Sequence, residues 1–139
     1  MIKTFDELSK KELYQIIMLR LACFIVEQET YYQDLDSLDF EAVHLFYYSG
    51  EEIVGYLRIT DLSNSLYRFS RICVKEGFRG KGIATALINT SFKSIPEHSS
   101  IILTAQSDLT EFYQKFGFQI SSSTKIVNGI DHIDMTRYS

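Results

Sequence analysis

The chain has 139 residues, of which 45% are hydrophobic and 23% charged, with a single proline. This composition excludes an intrinsically disordered chain and fits one domain over residues 1–139. The formal net charge of -4 excludes a strongly basic surface, so we predict no nucleic-acid partner.

The first predicted element is a helix. Ser9 and Glu12 have the Ser-x-x-Glu spacing of a capping box, and apolar residues then recur at helical intervals, which predicts a helix over residues 10–26. Residues 27–41 lose this periodicity and gather acidic and tyrosine side chains. We predict a loop there, with one short helical turn.

A meander of three strands follows. Apolar runs at 43–48 and 53–59 predict a hairpin, and residues 67–74 predict a third antiparallel strand. An amphipathic helix is predicted over 83–93, and the apolar run 101–105 is expected to pair in parallel with the third strand because a helix separates the two.

The last predicted elements are a short helix over 109–115 and a hairpin. Segments 118–124 and 132–137 flank Asn128-Gly129, a dipeptide typical of tight hairpin turns. The order of elements predicts an α/β fold with a mixed sheet.

The turn before the amphipathic helix has the chemistry of an anion site. It reads Arg79-Gly80-Lys81-Gly82-Ile83-Ala84. No side chain caps the helix, so backbone N–H groups are free for a phosphate, and two basic side chains add positive charge. The turn lacks the Ser or Thr of a P-loop and the third glycine of a dinucleotide fingerprint. A basic turn that binds nothing is the alternative.

Two segments carry a resemblance to one superfamily. The turn resembles the pyrophosphate loop of the GCN5-related N-acetyltransferases (GNATs), and Phe112-Tyr113 with Gly117-Phe118 resembles their Phe-Tyr-x-x-x-Gly-Phe segment. Residues 20–28 look like the ElaA-like branch, and the resemblance covers nearly the whole chain. Departures such as Asp131, where that branch has proline, affect the acceptor pocket more than the cofactor site.

The resemblance implies a fold, a co-substrate and a reaction. We expect a GNAT-like sheet, mostly antiparallel and flanked by helices, with a splayed parallel strand pair at the cofactor site. Acetyl-CoA is the implied co-substrate, no metal is expected, and the acceptor is a small-molecule or peptide amine that attacks the thioester directly. A non-catalytic CoA-binding sensor or interaction module is the alternative. The residues expected against the cofactor are Ile72, Cys73, Val74, Arg79, Gly80, Lys81, Gly82, Ile83 and Ala84.

Three residues are candidates for proton transfer. Tyr113 is expected to protonate the leaving thiolate, and Glu27, His44 or a bound water to accept the proton of the amine. Glu27 follows an apolar helix, so it is expected at the cleft with a raised pKa, and a surface glutamate is the alternative. His44 lies in an apolar strand, where a hydrogen-bonded core histidine is the alternative. Cys73 as a covalent acyl carrier is disfavoured, because direct transfer needs no such carrier.

The acidic loop leaves two interpretations open. Asp34, Asp36 and Asp39 do not fit a calcium loop, and they indicate either a cationic acceptor or a solvated face. Arg71 on a central strand needs a carboxylate if it is buried, and Glu27 or an aspartate of this loop would serve.

Cysteine usage and hydropathy give the expected compartment. Cys23 and Cys73 show no paired spacing, which predicts neither a disulfide framework nor a zinc site. We find no signal segment and no apolar run of about 18 residues, so we expect a cytoplasmic protein with no membrane partner. A homodimer stays open as an assembly.

Overall fold

The computed structural model describes residues 1–139 and contains one eight-stranded sheet in the order β1-β2-β3-β4-β5-β8-β6, with β7 paired to β8. Every pairing is antiparallel except β4 with β5. This arrangement confirms the predicted mixed sheet. The strands are β1 (Ile2–Thr4), β2 (Val43–Ser49), β3 (Glu52–Asp61), β4 (Leu66–Val74), β5 (Ser100–Gln106), β6 (Gln119–Ile120), β7 (Lys125–Val127) and β8 (Ile130–Arg137).

Helices α1 and α2 pack on opposite faces of this sheet. None of the helices is long and apolar enough to cross a membrane. The helices are α1 (Lys10–Leu21) with a π-helical turn (Ala22–Val26) at its end, α2 (Ile83–Lys93) and α3 (Thr110–Gln114), and the 3-10 turns are Leu38–Phe40 and Ser107–Leu109.

The start of α1 is the capping box that the sequence predicts. The Glu12 N–H donates to Ser9 Oγ at 3.0 Å, and the Ser9 N–H donates to Glu12 Oε1 at 2.9 Å. The helix reaches Val26 as predicted, but its last turn widens to π geometry. Turns of this kind occur often at functional sites, and this one borders the cavities described below.

Two apolar cores lie on the two faces of the sheet. The core under α2 includes Leu57, Leu87 and Phe69, and the smaller core under α1 includes Ile16 and Tyr56. Gly55 on β3 brings α2 close to the sheet, because a Cβ at this position would lie 2.6 Å from Ile83 Cγ2. This close approach fixes where the N-terminus of α2 sits.

The parallel pair β4–β5 opens into a gap. The two strands pair only over Leu66 to Arg68 with Ser100 to Ile102, and they separate beyond that point. β4 also carries a bulge opposite Leu57, where Arg71 has a φ of 55°. Bulges of this kind re-aim side chains next to active sites. The expected splay is therefore present.

Two elements differ from the prediction. Strand β1 was not predicted, because three residues are too few to show a period, and it forms by pairing with β2. Of the predicted strand 118–124 only β6 forms, and the strand that enters the Asn128-Gly129 turn is β7, which lies after the predicted segment. Between them the Ser121 N–H donates to the Asp134 carbonyl, and Ser122 Oγ accepts from the Asp134 N–H, so a bend replaces the ladder.

Candidate active site

Two adjoining cavities occupy the gap between β4 and β5. The larger cavity, about 610 Å³, lies between the π-helical turn, the end of β4 and the N-terminus of α2. The smaller cavity, about 330 Å³, extends from the gap toward the 27–41 loop and the β7–β8 hairpin. Both volumes are typical of small-molecule sites. The residues that line both cavities are Phe24, Gln28, Ile72, Gln106, Leu109 and Tyr113.

The N-terminus of α2 forms one end of the larger cavity. Gly82 is the N-cap residue, with a φ of 82° and no capping side chain, and the first helical bond runs from the Ala86 N–H to the Gly82 carbonyl at 3.0 Å. The N–H groups of residues 83–85 therefore have no partner in the helix. A Cβ on Gly80 or Gly82 would meet nothing within 4 Å. This end of the cavity therefore has the open, uncapped backbone that the predicted anion site requires.

The two predicted cations of this turn are held by groups of the chain itself. Arg79 lines the larger cavity and donates to both carboxylate oxygens of Glu27, at 2.7 and 2.8 Å, and to the Val74 carbonyl at 2.8 Å. The hydrogen bond to Glu27 raises the pKa of Arg79. The Lys81 ammonium lies 5.4 Å from the Phe78 ring centroid, outside the residues that line the cavity.

The wall of the larger cavity along β4 consists of Ile72, Cys73 and Val74. The Cys73 thiol is buried, and Cys23 lies beside it with its sulfur 3.6 Å from the Val74 carbonyl. A hydrogen bond with Cys23, together with burial, raises the pKa of the Cys73 thiol. Because the thiolate is the reactive form, Cys73 is a poor nucleophile here.

Tyr113 stands where the two cavities meet. Its ring packs edge-on against Phe112 and Phe118, with centroid distances of 5.2 and 6.1 Å. Burial, with a smaller contribution from Cys73, raises the pKa of Tyr113 to about 12. The hydroxyl makes no hydrogen bond within the chain. With a pKa of about 12 the phenol is protonated at neutral pH, and Tyr113 is among the residues that line both cavities.

The two candidate bases do not lie together. Glu27 lines the larger cavity, where its carboxylate is paired with Arg79. His44 is 1% exposed and lines neither cavity. Its Nδ1 lies 2.5 Å from the Tyr56 hydroxyl and its Nε2 lies 2.9 Å from the Asp39 carbonyl. Burial lowers the pKa of His44. The alternative given for His44, a hydrogen-bonded core histidine, is the arrangement found, because both ring nitrogens have partners within the chain and the side chain reaches neither cavity.

The acidic loop closes a ring of six ion pairs, which we call the charge ring. Three arginines alternate with three aspartates, so each member pairs with two neighbours. Arg20, Arg58 and the bulged Arg71 come from α1, β3 and β4. The pairs are Arg20–Asp34 (2.9 Å), Asp34–Arg71 (2.9 Å), Arg71–Asp36 (3.3 Å), Asp36–Arg58 (2.8 Å), Arg58–Asp39 (3.0 Å) and Asp39–Arg20 (2.7 Å).

The charge ring corrects both interpretations of the acidic loop. The aspartates are neither a solvated face nor free for a cationic acceptor, since each is already paired. Burial would raise the pKa of Asp39 and Asp36, but hydrogen bonds from Arg20 and Arg58 outweigh burial and lower both pKa values. The prediction that Arg71 pairs with an aspartate of this loop is confirmed.

The smaller cavity is lined by several polar residues that sequence reasoning missed. Arg68 on β4 and Gln106 at the end of β5 both border it, together with Gln28, Asn128 and His132. Arg68 could have been noticed in the sequence as a charged residue within a predicted strand. Asn128 could not have been linked to it, because it lines the same cavity from the β7–β8 hairpin, which is distant in sequence. Only the folded sheet brings these groups together.

Comparisons with known proteins agree with this geometry. The family model described as an acetyltransferase (GNAT) domain matches residues 6–139. Protein ElaA of Escherichia coli K12 is 34% identical, over 95% of this chain and 91% of that protein. The crystal structure of E. coli ElaA superposes with a TM-score of 0.91 at 32% identity, covering 99% of this chain and 97% of that one.

Two further solved structures share the fold. An acyl-CoA N-acyltransferase from Pseudomonas aeruginosa is similar with a TM-score of 0.92 and 28% identity, covering 99% of this chain and 97% of that one. An aminoglycoside 6'-N-acetyltransferase complexed with coenzyme A has a TM-score of 0.76 at 19% identity, with 99% and 96% coverage. At that identity the likeness is one of fold alone.

Proposed function

Since this chain belongs to the GNAT acetyltransferase family, we propose that it transfers the acetyl group of acetyl-CoA to a primary amine by direct attack. One observation carries this proposal. A cavity that ends at an uncapped helix N-terminus adjoins a second small cavity, and a buried, protonated Tyr113 lies between them.

The larger cavity fits the cofactor. The pyrophosphate would bind the free N–H groups of residues 83–85, beside Gly82, and the pantetheine would lie along the open edge of β4 at Ile72 to Val74. The thioester then reaches the junction of the cavities. Two free thiols beside the cofactor fit a reducing compartment such as the cytoplasm, which we propose as the location.

The chemistry at the junction needs one proton donor and one acceptor. The amine nitrogen attacks the thioester carbonyl carbon, the C–S bond breaks, and Tyr113 donates its proton to the leaving thiolate. A phenol with a pKa of about 12 is still protonated at neutral pH. Direct attack also fits the buried Cys73, whose raised pKa disfavours it as an acyl carrier.

Glu27, directly or through a water, is our proposed proton acceptor. Arg79 now occupies its carboxylate, but a pyrophosphate at the adjacent helix N-terminus would compete for that guanidinium. Cofactor binding would thereby free the Glu27 carboxylate in the larger cavity, from where a water would relay the proton of the amine. His44 has no place in this scheme, because it lines neither cavity.

The test is the release of free thiol from acetyl-CoA in the presence of amines. Replacing Tyr113 with phenylalanine removes the proton donor and keeps the ring, so Tyr113→Phe should lower kcat by roughly 10² to 10⁴ with little change in CoA affinity. Tyr14→Phe is the matched control, since Tyr14 is 71% exposed on α1. Near-normal turnover in Tyr113→Phe would remove Tyr113 from the mechanism, and CoA binding without any thiol release would identify a non-catalytic CoA-binding module instead.

A further inference from the structure

The charge ring leaves the smaller cavity without a free carboxylate. Asp36 is the ring acid that lines this cavity, and both of its oxygens are occupied. Oδ1 accepts from Arg58 Nη1 at 2.8 Å and from the Leu38 N–H at 3.1 Å, and Oδ2 accepts from Arg58 Nη2 at 2.9 Å and Arg71 Nη2 at 3.3 Å. The ring contains as many aspartates as arginines, so its formal charge sums to zero.

The same cavity also contains arginine N–H groups that are not paired with any carboxylate. Arg68 lines the cavity and makes no hydrogen bond or ion pair, and Nη1 of Arg71 is also without a partner. The charge of Arg68 acts on Asp134 of β8, but that carboxylate already accepts from Thr104 at 2.7 Å and from Lys125 at 2.9 Å. The Nδ1 atom of His132 forms a hydrogen bond with the Ile130 carbonyl, at 2.7 Å. The cavity wall therefore carries about one uncompensated positive charge.

We propose that the acceptor is an amine that also carries a carboxylate, such as an amino acid. Its carboxylate would pair with Arg68 and the free Nη1 of Arg71, since guanidinium groups match carboxylates in geometry and charge. Its amine would point toward Tyr113. This identification of the amine end rests on the proposed function, whereas the anion site rests on the cavity alone.

Position and size agree with such a ligand. Arg68 lies where β4 is still paired with β5, and Ile72 lies at the open end next to the larger cavity, so an acceptor along β4 has one end at each. A volume of about 330 Å³ suits a small molecule. A single uncompensated charge matches a carboxylate better than a phosphate dianion.

The test uses matched ligand pairs on the CoA-loaded protein. Calorimetry would compare glycine, β-alanine and γ-aminobutyrate with the amide of each. We expect at least one acid to bind about tenfold tighter than its amide, or more, as a charge-assisted hydrogen bond predicts, and Arg68→Gln to remove most of that preference. Lys11→Gln is the control, because it makes the same change in net charge on the exposed side of α1.

Each outcome decides the proposal. Equal binding of acids and amides, tighter binding of phosphoethanolamine than of every acid, or no binding of any acid would overturn it. An unchanged preference in Arg68→Gln would overturn the assignment of the anion to this residue. Thiol release is measured separately. Binding of an acid without thiol release would support the anion site and reject the proposed acetyl transfer. Thiol release without a preference for acids over amides would support acetyl transfer and reject the anion site.

Discussion

The carboxylate of Glu27 and the guanidinium of Arg79 form an ion pair at the larger cavity. The pair with Arg79 is bidentate, yet the side chains are 38% and 45% exposed. Exposed ion pairs are weakly stabilising, because water and salt screen them. This pair is therefore suited to exchange partners when a phosphate arrives, which a buried pair is not.

Replacing Glu27 with glutamine tests its proposed role as proton acceptor separately from its role as the ion-pair partner of Arg79. If Glu27 is the proton acceptor, Glu27→Gln should lower kcat at neutral pH by about 10² and recover part of it at high pH, where the amine loses its proton without help. Cofactor affinity should hold or rise, since Arg79 is freed for the pyrophosphate. Steady-state kinetics across pH and CoA titration measure both effects.

Glu52→Gln is a close control for this experiment. Glu52 also pairs with one cation, Lys75, and its side chain is 43% exposed, but it lies on β3 outside both cavities. It should leave the pH profile unchanged. A Glu27→Gln profile that coincides with that of Glu52→Gln would show that position and polarisation, not a protein base, carry the reaction.

Among the elements, the turn before α2 is the one whose backbone makes the site. Gly82 and Gly50 both have a positive φ, at 82° and 61°, and a Cβ on either would meet nothing within 4 Å. Alanine at either position should cost about 1 kcal/mol of stability for the left-handed backbone. Only Gly82→Ala should also weaken acetyl-CoA binding, because only Gly82 lines the cavity.

Thermal unfolding and calorimetry on the two variants check this expectation. Similar losses of stability, with CoA affinity reduced in Gly82→Ala alone, would support the anion site at α2. Equal CoA affinity in both variants would place the pyrophosphate elsewhere.

Local chemistry explains which elements the sequence predicts well. The capping box of α1, the Asn128-Gly129 hairpin and the glycine turn each depend on residues a few positions apart, and all three are found as predicted. The charge ring is different, since its pairs join residues 14 to 37 positions apart in sequence. Arg58 is hidden in an apolar run, and its role appears only when β3 meets the acidic loop.

For the whole molecule, the charge ring ties the 27–41 loop to α1, β3 and β4. Asp36 and Asp39 have lowered pKa values in the folded protein. A carboxylate whose pKa is lower folded than unfolded stabilises the fold above its unfolded pKa of about 4, and this stability is lost as the pH falls through the folded pKa. We therefore expect a first loss of stability as the pH falls below about 6.5, where His44 in the unfolded chain takes up a proton that the buried imidazole resists, and a steeper loss below about pH 4.

Melting temperatures from about pH 7 to about pH 3 measure this loss. Asp36→Asn should be less stable at neutral pH and show a shallower acid decline, because one linked carboxylate is gone. Asp108→Asn, at an exposed acid outside the ring, should follow the parent curve. Parallel curves for Asp36→Asn and the parent chain would show that the ring does not govern acid stability.

Every residue of the charge ring has two partners, so no residue can be replaced during evolution without the loss of two ion pairs. Losing Asp39 leaves Arg20 and Arg58 each with half of its counter-charge in a buried setting, so one substitution damages two contacts made by distant segments. The effects of single replacements will not add, since neighbours share partners. The six residues are therefore expected to change together in evolution. Replacing all of them by well-packed apolar residues should be tolerated better than replacing any one of them alone.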